Sequence, residues 1–402
     1  MYETLAVLAG FALLYSVVAS RVERTWISGP IIFTVFGLAL GPLGLGWIGL
    51  DTDPERIKTL AELTLALVLF TDAAGADLGV LKRFKRLPVR LLAIGLPLTI
   101  LLGFGAGMLL FGALSALEVA LLATMLAPTD AALGKAVVSN EAVPRGARQG
   151  LNVESGLNDG ICVPVLFLFL ALATGKSGHE SPLEIGLHLL TKDVGIGLIA
   201  GLSLSAVAAF LVRFSADRDW LSPTWTTITV ASAAFLSFGT AQALGGSGFI
   251  ASFVGGMLFG SLLGSDREKY LHAAEGIGDT LAMLTWIAFG AAVVGKFAPL
   301  VTGPILLYSV LSLTLIRMLP VYLCLTGLET NREGKFFIGW FGPRGLASIV
   351  FGVIVMDAGL PNGGVLSTVV ACTVVLSIVA HGVTANPWAK GFGRRYPPET
   401  SS

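Results

Sequence analysis

Apolar runs long enough to cross a bilayer recur along all 402 residues of this chain, and that repetition leaves very few architectures open. Inside hydrocarbon no water satisfies the backbone, so a spanning segment must be a helix or part of a closed barrel. The runs have the roughly 20-residue length of a helix across about 30 Å of hydrocarbon, twice that of a barrel strand. They fall at 3–20, 29–50, 58–78, 89–113, 117–138, 150–173, 185–213, 222–243, 247–264, 271–295, 299–325, 336–357 and 364–385. The reading is an all-α polytopic membrane protein with thirteen transmembrane helices, in which part of the long run at 185–213 is expected to lie along the membrane surface as a linker.

Charge supports this reading. Only 13% of the residues are charged, about half the share in a soluble domain. The 26 basic and 26 acidic residues cancel, so no bulk field draws nucleic acid. Cys162, Cys324 and Cys372 stand far apart in apolar runs, as buried small hydrophobes do, without the spacing of a metal site. No cofactor is expected. The start, Met1-Tyr2-Glu3-Thr4, lacks the basic lead of a secretory signal, so the first run is expected to stay as a transmembrane helix.

The positions of Lys and Arg set the orientation. With the N-terminus outside, eighteen basic residues fall on inner connections and five (Arg56, Lys58, Lys176, Lys192 and Lys296) on outer ones. Positive charge collects on the cytoplasmic side, so the expectation is a plasma-membrane protein with its N-terminus outside and its C-terminus inside. The two halves also echo one another. Gly29, Gly37 and Gly41 recur 219 residues later as Gly248, Gly256 and Gly260, and Pro128 recurs 215 later as Pro343. Each partner lies seven crossings on, and an odd separation inverts the repeat, as in many secondary transporters. The expected division is a first inverted-topology six-helix repeat at 1–175, a linker helix at 176–221, a second repeat at 222–388 and a short cytoplasmic tail at 389–402. With only fourteen residues after Trp388, a large cytoplasmic regulatory domain is not expected.

Two acidic stretches sit where acids are costly. Ala127-Pro128-Thr129-Asp130 interrupts the fifth run, and Glu154-Ser155-Gly156-Leu157-Asn158-Asp159 the sixth. Ionisable groups at bilayer depth mark ion or proton pathways. Pro128 removes a backbone donor and frees a carbonyl in the preceding turn, and freed carbonyls beside a carboxylate are hard oxygen ligands for a small cation. Ser155 and Asp159 share one helix face, Glu154 and Asn158 the adjacent strip. The first pair can ligate a cation, and the second can pin neighbouring helices. To stay ionised at depth Glu154 needs a cationic partner, and Arg344 in Gly342-Pro343-Arg344-Gly345 is the leading candidate, in a pairing that is largely structural.

These three motifs together, Pro-Thr-Asp at 128–130, Glu-Ser-Gly-Leu-Asn-Asp at 154–159 and Gly-Pro-Arg-Gly at 342–345, resemble the CPA1 monovalent cation:proton antiporters, the prokaryotic NhaP-type sodium/proton exchangers. The similarity runs from the first helix to the thirteenth. It implies broken, crossing helices 5 and 12, a homodimer joined through helices 1–3 and 8–10, and a moving core of helices 4–6 and 11–13. It also implies that Asp159 carries the ion and the proton, and that Asp130, Ser155 and the Thr129 main chain are further metal-ion ligands. Asn158 stands where electrogenic relatives have a second Asp, which implies electroneutral exchange of Na+, or Li+, for H+. The physical basis of coupling is competition: a carboxylate partly removed from water holds a proton more readily, so proton and cation can displace one another.

Other residues receive secondary readings. Asp72 is a candidate for a water-mediated ligand on the cytoplasmic approach, or a solvated helix cap. Glu62 could pair across the dimer. Arg317, before Pro320, is expected to neutralise carbonyls of a broken helix, and Lys135 to snorkel from its helix end. His381, read near a helix end, is weighed as a pH sensor and as a structural residue. A K+/H+ exchanger of the same fold and a passive monovalent cation channel are the alternatives. An intramembrane aspartyl protease is disfavoured by Arg344 and the repeated halves.

Overall fold

The structure is a computed structural model describing residues 2–396, except 23–24, 26, 48–53, 77–85, 131–132, 134, 139, 141–142, 175–183, 185–187, 189 and 329. Every regular element among the described residues is helical. In chain order we number them α1 (Tyr2–Val22), α2 (Gly29–Leu40), α3 (Pro54–Gly75), α4 (Arg86–Leu110), α5 (Ala116–Met125), α6 (Lys135–Val138), α7 (Arg145–Thr174) and α8 (Thr191–Ala216). The second half holds α9 (Pro223–Ala243), α10 (Gly248–Leu263), α11 (Arg267–Leu300), α12 (Gly303–Cys324), α13 (Arg332–Trp340), α14 (Leu346–Asp357) and α15 (Gly363–Arg395). Seven of them, α1, α4, α7, α8, α11, α12 and α15, are long and apolar enough to cross a membrane, and α2, α5, α10 and α14 are shorter apolar helices.

Two of the expected spans are interrupted, each at a proline. The fifth ends as helix at Met125, runs without helical structure through residues 128–130, and resumes at Lys135. The twelfth stops at Trp340 and resumes at Leu346, with Pro343 in the gap. Proline supplies no N–H and clashes with the preceding turn, so the ladder fails on its N-terminal side. The halves are restarted or begun by side-chain caps: Ser115 and Glu118 form a reciprocal capping box at α5, and Asn331 accepts the Gly334 N–H at α13.

Two further boundaries differ from the sequence reading. The thirteenth span does not stop near 385; α15 continues to Arg395 with Pro387 inside it. His381 therefore lies in mid-helix, and the expected tail at 389–402 is helical as far as Arg395. Lys135 opens α6, and its side chain lies outside the described residues, as do residues 175–183 of the linker.

The glycine pattern has a packing cause. A Cβ at Gly37 or Gly41 would overlap the α11 backbone at Ile287 and Ala291, and one at Gly256 or Gly260 would overlap the α3 carbonyls of Phe70 and Ala74. The last two glycines of each triad thus let two helices approach backbone to backbone, the small-residue contact typical of membrane helices.

The apolar core divides at one end of the bundle and fuses at the other. Where α3 finishes, one cluster built on Leu67, Phe70, Val212, Val230, Phe259 and Tyr270 belongs to α3 and α8–α11. A separate cluster around Leu91, Leu151, Val321, Phe337, Phe341 and Phe392 belongs to α4, α7, α12, α13 and α15 and the turns beside them. Among the described residues a small cluster of Ala76, Val153 and Leu157, flanked by Leu92, Phe253 and Met257, stands apart from both. Where α3 begins, a single cluster runs through both groups, from Leu65 and Trp286 to Leu166, Phe351 and Val370.

Candidate ion site at two helix breaks

The two breaks meet and exchange hydrogen bonds. The Asp130 N–H donates to Pro343 O at 2.8 Å, and the Leu346 N–H, at the start of α14, donates to Asp130 Oδ2 at 2.8 Å. Asp130 Oδ1 also accepts from the Leu133 N–H at 3.3 Å. A carboxylate here meets the positive end of the α14 dipole. Gly345 is required by this contact, because a Cβ there would overlap Asp130 Oδ2.

Arg344 provides the complementary charge. Its Nη1 donates to Ala127 O at 2.6 Å and Pro128 O at 3.0 Å, the carbonyls just past the end of α5. A cation thus sits at the negative end of one half-helix and a carboxylate at the positive end of the other. The Arg344 N–H is taken by Ser377 Oγ at 2.7 Å, and His381 Nε2 lies 2.8 Å from Trp340 O, so α15 satisfies the groups left bare by the second break.

Glu154 does not pair with Arg344. Its two oxygens accept from Arg317 Nη1 at 2.5 Å and Nη2 at 2.7 Å, with both side chains 1% exposed. The expected roles of the two arginines are exchanged. Glu154 looks toward α12, where Arg317 reaches it past Gly342, whose missing Cβ leaves room for the guanidinium. Arg344 is drawn instead to the freed carbonyls. Sequence reasoning missed Arg317 as the partner of Glu154, and missed Ser377 and His381 as supports of the break. The glycine before Pro343 was the available signal for the first, and none marked the second.

Between these charges lies a small cluster of polar side chains. Thr129 Oγ1 is 3.0 Å from Ser155 Oγ and accepts from Asn158 Nδ2 at 2.7 Å, and all three side chains are buried. Asp159 is 6% exposed on α7, one turn beyond Ser155. Its Oδ1 and the Asn158 Oδ1 are buried and lack a hydrogen-bond partner among the described residues. Buried polar atoms are rarely left bare, so two bare acceptors beside two hydroxyls mark a place for a donor: a proton or a cation. Asp159 also interacts electrostatically with Asp130 and with Asp72, whose main chain packs on Gly156.

The structure therefore brings Thr129, Ser155, Asn158 and Asp159 together at the first break, sets Asp130 as the cap joining the breaks, and places Glu154 one strip away. No group of three His, Cys, Asp or Glu side chains gathers as a metal centre among the described residues. Single carboxylates, hydroxyls and main chain remain, the hard oxygen donors that suit an alkali cation in transit.

A polytopic helical bundle with two interrupted, charge-complemented helices around a buried carboxylate is the form of a cation/proton antiporter. The chain belongs to the sodium/hydrogen exchanger family: a family model described as "Sodium/hydrogen exchanger, transmembrane" matches residues 8–391. It is 25% identical over 98% of its length to the K(+)/H(+) antiporter NhaP2 of Shewanella sp. strain ANA-3, covering 67% of that protein. It is 24% identical over 97% of its length to the K(+)/H(+) antiporter NhaP of Alkalimonas amylolytica, again covering 67%. A probable Na(+)/H(+) antiporter of Schizosaccharomyces pombe matches at 24% over 86% of this chain and 47% of its own length. The fold is that of the sodium proton antiporter MjNhaP1 of Methanocaldococcus jannaschii, with TM-score 0.79, 98% of both chains covered and 21% identity. The chain is a transporter of that family, not an enzyme, and its ions are substrates.

Proposed function

We propose that this protein exchanges Na+, or Li+, for H+ one for one, with Asp159 holding either the cation or the proton. The observation that carries the proposal is the bare Oδ1 of Asp159 beside the Thr129, Ser155 and Asn158 cluster at the first break. One carboxylate with one open place cannot hold both ions, so each displaces the other. The second polar side chain at this level, Asn158, carries no charge, which supports electroneutral stoichiometry. Asp130 has Oδ2 held by the α14 N-terminus and Oδ1 by the Leu133 N–H, so it contributes negative potential to the cation and geometry to the breaks. Glu154 with Arg317, and Arg344 with the α5 carbonyls, hold the elements around the cluster.

The coarser architecture supports finer readings. Taking α5 with α6 and α13 with α14 as one interrupted crossing each gives thirteen spans, and the charge pattern of the connections then puts the N-terminus outside and the C-terminus in the cytoplasm of a plasma-membrane protein. The glycine triads, each at a helix crossing, support two inverted repeats. α1 buries no residue and turns Leu13, Leu14 and Val17 outward, leaving a surface for lipid or for the second copy of a homodimer.

K+/H+ exchange is the second reading, favoured by the Shewanella and Alkalimonas relatives being named K(+)/H(+) antiporters. Purified protein in liposomes containing a pH-sensitive dye decides. With the membrane potential clamped, an inward gradient of Na+ or Li+ is expected to drive protons out, with K+ much less effective. A K+ response equal to or above that to Na+ moves the assignment to K+/H+ exchange. Cation flux that carries current without proton movement makes the protein a channel and overturns the exchange mechanism.

A further inference from the structure

The end of the bundle where α3 begins carries an ion pair across the seam between the two helix groups. Lys58 Nζ, in the second turn of α3, meets Asp357 Oδ2, the last residue of α14, at 2.5 Å, with the two side chains 32% and 51% exposed. Glu62, one turn further along α3, is half-buried and interacts with both. At the opposite end no ion pair among the described residues joins the two groups: Arg317–Glu154 and Arg395–Glu333 lie within one group, and His272–Glu275 lies within the other.

Two further observations place this pair over a path. α14 runs from the ion site, at Leu346 against Asp130, to Asp357 in the ion pair, and Gly352 and Met356 lie one turn apart along it. Against that stretch, between α14, α15 and α11, lies a cavity of about 20 Å3 lined by Phe289, Val293, Gly352, Met356 and Ser367, room for about one water. The Ser367 hydroxyl is buried and has no hydrogen-bond partner among the described residues. Among the described residues the apolar clusters fuse here and divide at the other end, so the two groups are held more closely at this face.

We infer that Lys58 and Asp357 are the gating pair of the face where α3 begins: they hold the two helix groups together in the present conformer and must separate when the ion site opens to that side. The cavity beneath lies against the stretch of α14 between the ion site and this pair, and Ser367 is a polar group on its wall. This rests on the alternating-access reading above. Lys58 and Asp357 are positioning residues, since neither touches Asp159.

An exposed ion pair is weak, which suits a contact broken in every cycle. Its loss is expected to raise the population of the conformer open at that face between about 1.5-fold and 5-fold. Apparent affinity follows the competent fraction. In oriented proteoliposomes Lys58→Gln should therefore lower the apparent KM for the cation added on that face by the same factor and leave the KM on the other face nearly unchanged. The double variant Lys58→Gln with Asp357→Asn should equal the single variants, because either removes the whole contact. Equal changes on both faces, or additive effects in the double variant, overturn the assignment. Bridging Lys58→Cys to Asp357→Cys with a short reducible bis-thiosulfonate should stop exchange until reduction, and continued exchange by bridged protein likewise overturns it. A third measurement needs no transport: Ser367→Cys should be labelled by an impermeant maleimide from that face faster when Lys58→Gln is added, and an unchanged labelling rate overturns the gate. Failure of wild-type protein to exchange cation for proton sinks the antiport reading and leaves the labelling result standing by itself.

Discussion

Replacing Glu154 by Gln tests the buried pair that binds α7 to α12. Both Glu154 and Arg317 are 1% exposed, and the contact is bidentate at 2.5 and 2.7 Å. Glutamine keeps the volume and one acceptor but leaves the Arg317 guanidinium buried without a counter-charge. Removing one partner of such a pair costs about 3 to 5 kcal/mol, and the retained acceptor puts the expected loss near the lower figure. Arg317→Met should cost a similar amount by stranding Glu154. The double variant leaves no uncompensated charge, so it should lose less than the sum of the two, with a coupling of about 2 kcal/mol or more. Equilibrium unfolding in mixed detergent micelles, at fixed lipid content, measures all three. Additivity within about 0.5 kcal/mol would refute the pairing. So would strong coupling of Glu154→Gln to Arg344→Met in place of Arg317→Met. Gly342→Ala supplies an independent check, because its methyl group overlaps Arg317 Nε and should push the guanidinium out of register.

Three further substitutions separate chemistry from framework. Asp159→Asn should abolish exchange and leave the unfolding midpoint within the error of wild type or above it, since a bare buried carboxylate becomes neutral; retained proton-coupled cation flux would contradict its assignment. Gly345→Ala should displace the Asp130 cap from α14, lowering stability by about 1 kcal/mol and reducing exchange severely, and normal transport by this variant would show that the joined breaks are dispensable. Gly260→Ala forces a methyl group against the Ala74 carbonyl, and should cost about 1 to 3 kcal/mol by overpacking α3 against α10; a stability unchanged in the same unfolding assay would show that these helices have room to part.

The seven long apolar spans, the two breaks and the polar cluster were legible in the sequence because each depends on local information. Length and hydropathy locate a crossing, Pro128 and Pro343 stop a ladder wherever they stand, and the i, i+4 spacing of Ser155 and Asp159 fixes a shared face. The partner of Glu154 was not legible. Both arginines lie in apolar runs at plausible depth, and the choice between them depends on how α7 is rotated against α12, which no spacing within either helix encodes. The same holds for Asp130, whose carboxylate is taken by a helix terminus 216 residues away. His381 was misplaced for a simpler reason: Pro387 and the basic residues after it read as a stop, yet the helix continues past them because its neighbours, Phe337 and Phe341, pack on Trp388 and Phe392.

The crossed breaks also bear on how the protein is made. Synthesis delivers Glu154 and the bare carbonyls of Ala127 and Pro128 to the membrane long before Arg317 and Arg344 leave the ribosome. Until then a carboxylate and two acceptors wait in hydrocarbon without their donors, each at a cost of several kcal/mol. The contacts that complete the candidate ion site are thus also the last to become available during synthesis.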